Sequence, residues 1–208
     1  MKSIRVAVAA AAVGLALTAC SSPMQAGAAA VVGKERISTS KLNTDAQAYR
    51  GALKSAKLDE TALGVPVDQY VLRRLVDMSA SKQLMQRYNV QVSESEIDAK
   101  LQDPGEYQSA QINLLALGVA PTYAREFGRV SAGLAKLQQQ VGQTGQQKLA
   151  EEFTSIKTVY SPRFGVLNTQ PSQENPSLFL DAGRFGKATP QQAPQQPQQE
   201  QQQQQPQG

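Results

Sequence analysis

The chain has 208 residues, a formal net charge of +4, and neither His nor Trp. The lack of His excludes Ser-His-Asp and Cys-His catalysis and the common zinc sites, and so small a charge excess gives no reason to expect a nucleic-acid partner. Dinucleotide-binding, P-loop and EF-hand motifs are also missing from the sequence. Composition therefore predicts a protein that is not an enzyme and that uses no cofactor or metal.

A leader is predicted at the start of the chain. A short positive segment at residues 1–5 precedes an unbroken run of small and apolar residues at 6–19. This run has the length of a signal-peptide hydrophobic region and is shorter than a bilayer-spanning helix. It ends immediately before the only cysteine of the sequence. The four residues at this junction are Leu17, Thr18, Ala19 and Cys20.

Small residues before a cysteine, at this distance from the positive segment, resemble the lipobox of bacterial lipoproteins. The resemblance implies signal-peptidase recognition at Leu17, Thr18 and Ala19, cleavage before Cys20, and a diacylglyceryl group on the Cys20 thiol. The alternative is an ordinary secretory signal whose cysteine is accidental. Two acyl chains anchor a protein stably, so we expect the protein at the extracytoplasmic face of the cell membrane.

Both ends of the remaining chain are polar. Residues 20–28 are small and polar, and they are predicted to tether a domain to the lipid. Residues 190–208 consist mostly of Gln and Pro, and such a segment buries too little apolar surface to offset the entropy of ordering. We therefore predict a disordered tail at 190–208, a C-terminal extension at 169–189, and one domain at 29–168.

The first half of this domain is predicted to contain a hairpin and three helices. Strands at 29–32 and 35–37 flank Gly33 and Lys34, which suit a two-residue II′ turn. Three helices follow, the second of which carries an apolar stripe at i, i+4 spacing and the third of which starts with a capping box formed by Ser93 and Glu96. The predicted helices run from Ser38 or Ser40 to about 57, from 67 to 88, and from 93 to 101.

The second half continues with helices and ends with short strands. Gly118 is predicted to end one helix, Pro121 to occupy the first position of the next, and the glycines at 142–145 to break the chain. The predicted helices are 108–117, 121–141 and 146–157, and the predicted strands are 158–160, 164–167 and 178–180. Strands at both ends of a mainly α domain are expected to pair with each other, because neither hairpin alone is stable.

Three segments resemble one family. The hairpin at residues 31–38, the long helix and its junction at 71–98, and the segment after the last helix at 159–165 are similar to the N-terminal domain of SurA/PrsA-type extracytoplasmic chaperones, in the form found in actinobacterial lipoproteins. The resemblance implies a mainly α, trigger-factor-like helical chaperone domain with a few short strands. It covers roughly residues 29–167.

Many members of this family carry a parvulin prolyl-isomerase domain between their last two helices. Here that place holds only residues 141–147, and parvulin sites rely on His, which the chain lacks. A parvulin domain is a folding unit in its own right and does not fit this linker. The resemblance therefore implies a chaperone or holdase that binds unfolded or exported polypeptides without isomerase activity.

Binding varied polypeptides requires an adaptable apolar groove, which methionine and aromatic side chains can line. The candidate residues are Tyr70, Met78, Met85, Tyr88, Tyr123 and Phe127. The alternative is that these residues form the core, while Arg73 and Arg74 form a solvated face of the long helix. Two other functions remain open, namely an envelope assembly lipoprotein with one dedicated partner and a small-molecule binder.

Overall fold

The structure is a computed structural model that describes residues 26–170, 172 and 177–180. Within these residues it contains five strands and five α-helices, with short 3-10 turns at Glu60–Leu63, Pro121–Tyr123 and Pro162–Phe164. The strands are β1 (Ala28–Val32), β2 (Glu35–Ser38), β3 (Thr158–Tyr160), β4 (Val166–Leu167) and β5 (Phe179–Leu180). The helices are α1 (Thr39–Ser55), α2 (Val67–Arg87), α3 (Glu94–Gln102), α4 (Ala110–Ala116) and α5 (Ala124–Ser155).

The predicted pairing of the terminal strands is confirmed. β1 lies between β2 and β3 in an antiparallel three-stranded sheet. Gly33 turns the chain from β1 to β2 with a φ of 55°, a conformation that glycine adopts without steric cost. The pairing of β1 with β3 joins the two ends of the domain. The Gly33 N–H adds one more bond at this junction, to the Lys157 carbonyl at 2.8 Å. β4 and β5 form a separate two-stranded sheet.

The predicted starts of α1 and α3 are also confirmed. The Ser38 hydroxyl accepts a hydrogen bond from the Lys41 N–H at 3.0 Å and caps α1. At α3, the Ser93 hydroxyl accepts from the Glu96 N–H at 3.4 Å, and the Glu96 carboxylate accepts from the Ser93 N–H at 2.8 Å. Each cap satisfies main-chain donors that the helix itself leaves unpaired, which fixes where the helix begins.

The core lies where α1 and α2 pack together and against the sheet. Its largest fully buried side chains include Leu42 and Tyr49 of α1 and Leu72 of α2. Burying such a side chain stabilises the fold by about 1.5–3 kcal/mol. None of the described helices is both long enough and apolar enough to cross a membrane.

The third long helix departs from the sequence prediction at its start. Pro121 opens a 3-10 turn instead of α5 itself, and the helix begins at Ala124. The reason is Tyr123, whose backbone (φ −129°, ψ 16°) leaves the helical region while its buried hydroxyl donates to the Gly118 carbonyl. A smaller difference concerns Phe164, which lies in a 3-10 turn rather than in a strand.

The predicted break near residues 142–145 is confirmed. Gly142 has a φ of 62° and a ψ of −172°, so α5 consists of two helical stretches that meet at this residue. Leu137 and Leu149, on opposite sides of the break, both pack in one cluster with Leu84 of α2. The chain therefore folds back at the position where the family resemblance implies a parvulin insertion.

Candidate functional site

An open groove of about 730 Å³ lies between α2 and the C-terminal strands. One wall comes from a single stripe of α2, because residues three and four apart lie on the same face of a helix. The other wall comes from the end of α5, from β3 and from β4. The lining residues that matter here are Arg73, Val76, Asp77, Ala80, Ile156, Thr158, Tyr160 and Val166.

The α2 wall combines small apolar side chains with one ion pair. Val76 and Ala80 are buried, and they form the apolar part of this wall. Arg73 and Asp77 flank them, with the Arg73 Nε 3.1 Å from the Asp77 Oδ1. Burial raises the pKa of the Asp77 carboxyl, and the nearby Arg73 reduces this effect. The wall is therefore apolar along its centre and nearly neutral in charge.

The strand wall is held in place by aromatic packing. The Tyr160 ring meets the buried Phe179 ring edge-on, with 5.0 Å between the ring centroids. Burial raises the pKa of the Tyr160 hydroxyl; the charge of Arg73 lowers it and that of Asp77 raises it further. Val166 projects at the rim and is 59% exposed, the highest value among the large hydrophobic side chains that are exposed in the described chain.

None of the six residues proposed from the sequence to bind polypeptide lines this groove. Met78, Met85 and Tyr123 are only 5%, 7% and 2% exposed, and they belong to the core. Met78 and Met85 are buried because an apolar stripe on a helix packs first against the nearest helices. Met78 and Met85 lie on α2, which contacts α1, α5 and the sheet.

The other three candidates are partly exposed and have structural partners. The Tyr70 hydroxyl donates to the Ala116 carbonyl at 2.7 Å, and the Tyr88 hydroxyl donates to the Glu152 carboxylate at 3.0 Å. Phe127 packs beneath the Arg74 guanidinium, 5.9 Å from the ring centroid. These contacts hold α4 and α5 against α2.

The arginines of α2, predicted from the sequence to form a solvated face, are partly exposed and also make specific contacts. Arg73 lines the groove and pairs with Asp77, while the Arg74 Nε donates to the Leu117 carbonyl at 2.6 Å. Val76 and Ala80 belong to the apolar i, i+4 stripe of α2. Arg73 and Asp77, also four residues apart, border this stripe and are the sequence signal that marks the side of α2 facing the groove.

The predicted lipid-attachment and peptidase-recognition residues lie outside the described residues, as do the predicted tail and most of the tether. They are Cys20, Leu17, Thr18 and Ala19. Among the residues that the structure does describe, no group of three or more acidic or cysteine side chains is placed to hold a metal ion. One buried polar atom there lacks a hydrogen-bond partner, the Gln69 Oε1.

The described residues form a mainly α domain that is closed by strands from both ends and carries an open groove beside α2. The chain belongs to the family of SurA-like N-terminal domains, whose family model matches residues 1–113. This family is chaperone-related, and no parvulin domain is detected. No match was found among curated proteins or among solved structures.

The matched residues include β1 and β2 and the helices as far as α4. The recognition of the family and the mainly α fold class are thereby confirmed. The α2 wall of the groove lies inside the matched residues, whereas β3 and β4 lie beyond them. The resemblance of residues 159–165 to the family stays a prediction.

Proposed function

We propose that the protein is a lipid-anchored, extracytoplasmic holdase that binds unfolded or exported polypeptides without prolyl-isomerase activity. The observation that carries this proposal is the open groove between α2 and the C-terminal strands in a chain of a chaperone-related family. Because the groove opens to solvent along its length, it suits a segment of a longer chain better than it suits an enclosed small molecule.

The chemistry of the groove supports binding without turnover. Val76 and Ala80, each only 5% exposed, line its α2 wall, and the exposed Val166 adds apolar surface at the rim. Arg73 and Asp77 neutralise each other, and Lys157 leaves the groove lining with one net positive charge, so selection by charge should be weak. A holdase needs such weak selection, since its clients differ in sequence.

The membrane anchor in this proposal is the diacylglyceryl group on Cys20. Residues 20–28 separate this cysteine from β1, and an extended chain spans at most about 3.3–3.6 Å per residue. The domain would therefore stay within about 30 Å of the membrane surface. At that distance, a polypeptide emerging from the membrane would meet a high local concentration of grooves.

The function is tested by aggregation suppression. The full chain is carried in phospholipid nanodiscs and mixed with a chemically unfolded secreted protein while light scattering is followed, with empty nanodiscs as the control. Near-stoichiometric suppression that survives deletion of residues 190–208 supports the proposal. Failure with several unrelated clients contradicts it and favours a dedicated envelope partner, to be sought by crosslinking.

The site of client contact is tested by placing a photo-crosslinking residue at Val166 and, as a matched control, at Leu58. Both side chains are exposed and apolar, at 59% and 40%, but Leu58 lies away from the groove. We expect crosslinks to an unfolded client from position 166 and few from position 58. Equal yields from both positions would argue against the groove.

The anchor is tested with Cys20→Ser in a bacterium that processes lipoproteins. We expect the unaltered chain to incorporate radiolabelled palmitate and to fractionate with membranes, and the variant to lose the label. Label incorporation that is unchanged in the variant would contradict anchoring through this thiol.

A further inference from the structure

β3 forms one outer edge of the three-stranded sheet. Its main-chain N–H and C=O groups point alternately toward β1 and away from it. In an antiparallel pair, alternate residues direct their N–H and C=O groups at the partner strand. The Lys157 carbonyl accepts from the Gly33 N–H, and the Ser161 N–H donates to the Ala29 carbonyl, both at 2.8 Å. Residues 157, 159 and 161 therefore face β1, and the N–H and C=O groups of Thr158 and Tyr160 face away from it.

These outward groups are unpaired within the described chain. No main-chain or side-chain hydrogen bond from residues 26–170, 172 or 177–180 reaches the N–H or C=O of Thr158 or Tyr160. β4, the next strand along the chain, pairs with β5 instead of β3. An edge with free donors and acceptors is a template for another strand.

The space beside this edge is the groove itself. Thr158 and Tyr160 line it together with Val76 and Ala80 of α2. β1 and β2 already pack against α2, so a strand added at β3 would extend the same sheet along that helix. Alternate side chains of the added strand would then face the small residues of α2.

We propose that the groove binds an extended segment of a client polypeptide as a fourth strand, hydrogen-bonded to the main chain of Thr158 and Tyr160. This inference rests on the proposed function and specifies how the client is held. Strand addition recognises the backbone that all polypeptides share, so its affinity depends little on sequence. Because the α2 wall is lined by the small side chains of Val76 and Ala80, we expect Ala, Ser, Thr or Val at the alternate client positions that face α2.

The composition of the chain's own C-terminal residues favours a client over this segment as the occupant. Residues 181–189 include two glycines, and the tail that follows contains Pro190, Pro194, Pro197 and Pro206. Glycine and proline disfavour strands, and proline has no N–H to donate. A segment of this composition is a poor partner for a strand edge.

The main test uses two peptide probes and the full chain in nanodiscs. Both probes are soluble peptides of alternating serine and valine flanked by lysines, one N-methylated at the serines and the other at the valines. In a bound strand only one of these sets faces β3. We expect one probe to bind about tenfold more weakly than the unmethylated peptide, as the loss of main-chain hydrogen bonds implies, and the other to bind almost normally.

Hydrogen exchange supplies the second readout. In the free protein, we expect the amides of Thr158 and Tyr160 to exchange much faster than that of Val159, and the unmethylated peptide to slow the first two. Protection of both amides in the free chain that disappears on deletion of residues 181–208 would overturn the proposal, because the chain's own segment would then occupy the edge. Protection that appears only as the protein self-associates would overturn it in favour of a second copy.

Substitutions at Thr158 test directly whether its N–H donates to the bound peptide. Thr158 is the first residue of an outer strand, a position that accepts proline, and its N–H takes no part in pairing with β1. We expect Thr158→Pro to weaken peptide binding about tenfold and Thr158→Val, which keeps the N–H, to leave it within about twofold.

The outcomes separate this inference from the proposed function. If the two methylated probes bind equally and Thr158→Pro has no effect, while the Val166 crosslink to clients persists, strand addition is wrong and client binding stands. If the unmethylated peptide does not bind and clients are not kept soluble, both are wrong.

Discussion

Two regions of the protein have main-chain polar groups that their own helix or sheet leaves unpaired. In one region side chains of the protein pair with these groups, and in the other no side chain of the described residues does. At the end of α4, four consecutive carbonyls are each met by a side-chain donor. Tyr49 donates to Leu115, Tyr70 to Ala116, Arg74 to Leu117 and Tyr123 to Gly118, the first three at 2.6, 2.7 and 2.6 Å. At the edge of β3, the outward groups of Thr158 and Tyr160 receive no such donor within the described chain.

The difference follows from burial. The hydrogen bonds to the Leu115 and Gly118 carbonyls are buried, and an unpaired group there costs about 1–3 kcal/mol, whereas the bonds to Ala116 and Leu117 are part-buried and exposed. The β3 edge lies beside an open groove, where solvent or a partner strand can reach its groups. The protein thus satisfies main-chain groups internally where they are buried, and the groups left open mark the surface that we propose binds clients.

The largest expected effect on stability comes from removing the side chain of Tyr49 in α1, whose hydroxyl donates to a carbonyl at the end of α4. Tyr49 is fully buried, and Tyr49→Ala should lower the free energy of unfolding by about 3–5 kcal/mol because it leaves a cavity. Tyr49→Phe keeps the ring but leaves the Leu115 carbonyl unpaired, and should cost about 1–3 kcal/mol. Urea unfolding followed by circular dichroism measures both. A Tyr49→Phe variant as stable as the unaltered protein would show that the hydroxyl contributes nothing at this site.

The turn that follows α4 should be nearly as sensitive. Gly118 has a φ of 76°, and a Cβ there would lie 2.8 Å from the Tyr70 ring. We expect Gly118→Ala to cost about 1–3 kcal/mol in thermal or urea unfolding.

The matched control for this substitution is Gly51→Ala. Gly51 lies within α1 with no atom within 4 Å of an added Cβ, so alanine there should stabilise the protein by about 0.5–1 kcal/mol. Equal effects of the two substitutions would mean that the turn after α4 is not constrained as described.

A smaller effect is expected where α3 is held to α5 by exposed charges. The Lys136 ammonium, 2.8 Å from Glu96, together with hydrogen bonds from Ser93, lowers the pKa of the Glu96 carboxyl from 4.5 to about 2. A lowered pKa means that this contribution is present above about pH 4.5 and is lost as the pH falls toward 2.

Thermal unfolding between pH 6 and pH 2 measures this contribution. The unaltered protein should lose more of its Tm over this range than Glu96→Gln, whose side chain does not titrate. The difference should shrink in high salt, because the pair is exposed. Identical pH profiles for the two proteins would assign the acid sensitivity to other carboxylates.

The smallest effect on stability, and the most specific one on function, is expected in the groove. Val166→Ser should change the free energy of unfolding by less than about 0.5 kcal/mol, because the side chain is 59% exposed. Loss of its apolar contact should weaken binding of the unmethylated serine–valine peptide about fivefold. Leu58→Ser, an exposed apolar position outside the groove, should leave binding unchanged. A fluorescence titration that shows equal weakening by both would remove Val166 from the site.

Much of the fold could be predicted from the sequence because its signals are local. Ser38 and the Ser93–Glu96 box begin helices by bonding main-chain groups two or three residues away. Gly33 and Gly142 have positive φ values, which glycine adopts without steric cost. The start of α5 could not be predicted in this way, because the buried Tyr123 hydroxyl reaches a carbonyl that only the folded chain places nearby.

The residues of the candidate site could not be predicted from such local signals. Methionine and tyrosine on α2 indicated an adaptable apolar surface, yet Met78 and Met85 are buried. A helix presents several faces, and its sequence shows which face is apolar without showing which face a neighbouring element leaves uncovered. The groove uses the face of Arg73 and Asp77, and its second wall comes from residues about 80 positions further along the chain.

The sequence by itself determined the mainly α class, the starts of α1, α2 and α3, the break at Gly142, and the family, because hydrophobic period, caps and glycine conformations act over a few residues. Tertiary structure alone decided which main-chain groups are satisfied. It brought the tyrosines of α1, α2 and the 3-10 turn before α5 to the end of α4, and it placed β3 at the edge of a sheet with its outward groups open. The physical reason is that satisfying a carbonyl or an amide depends on distance in space, which contacts between residues far apart in the chain set.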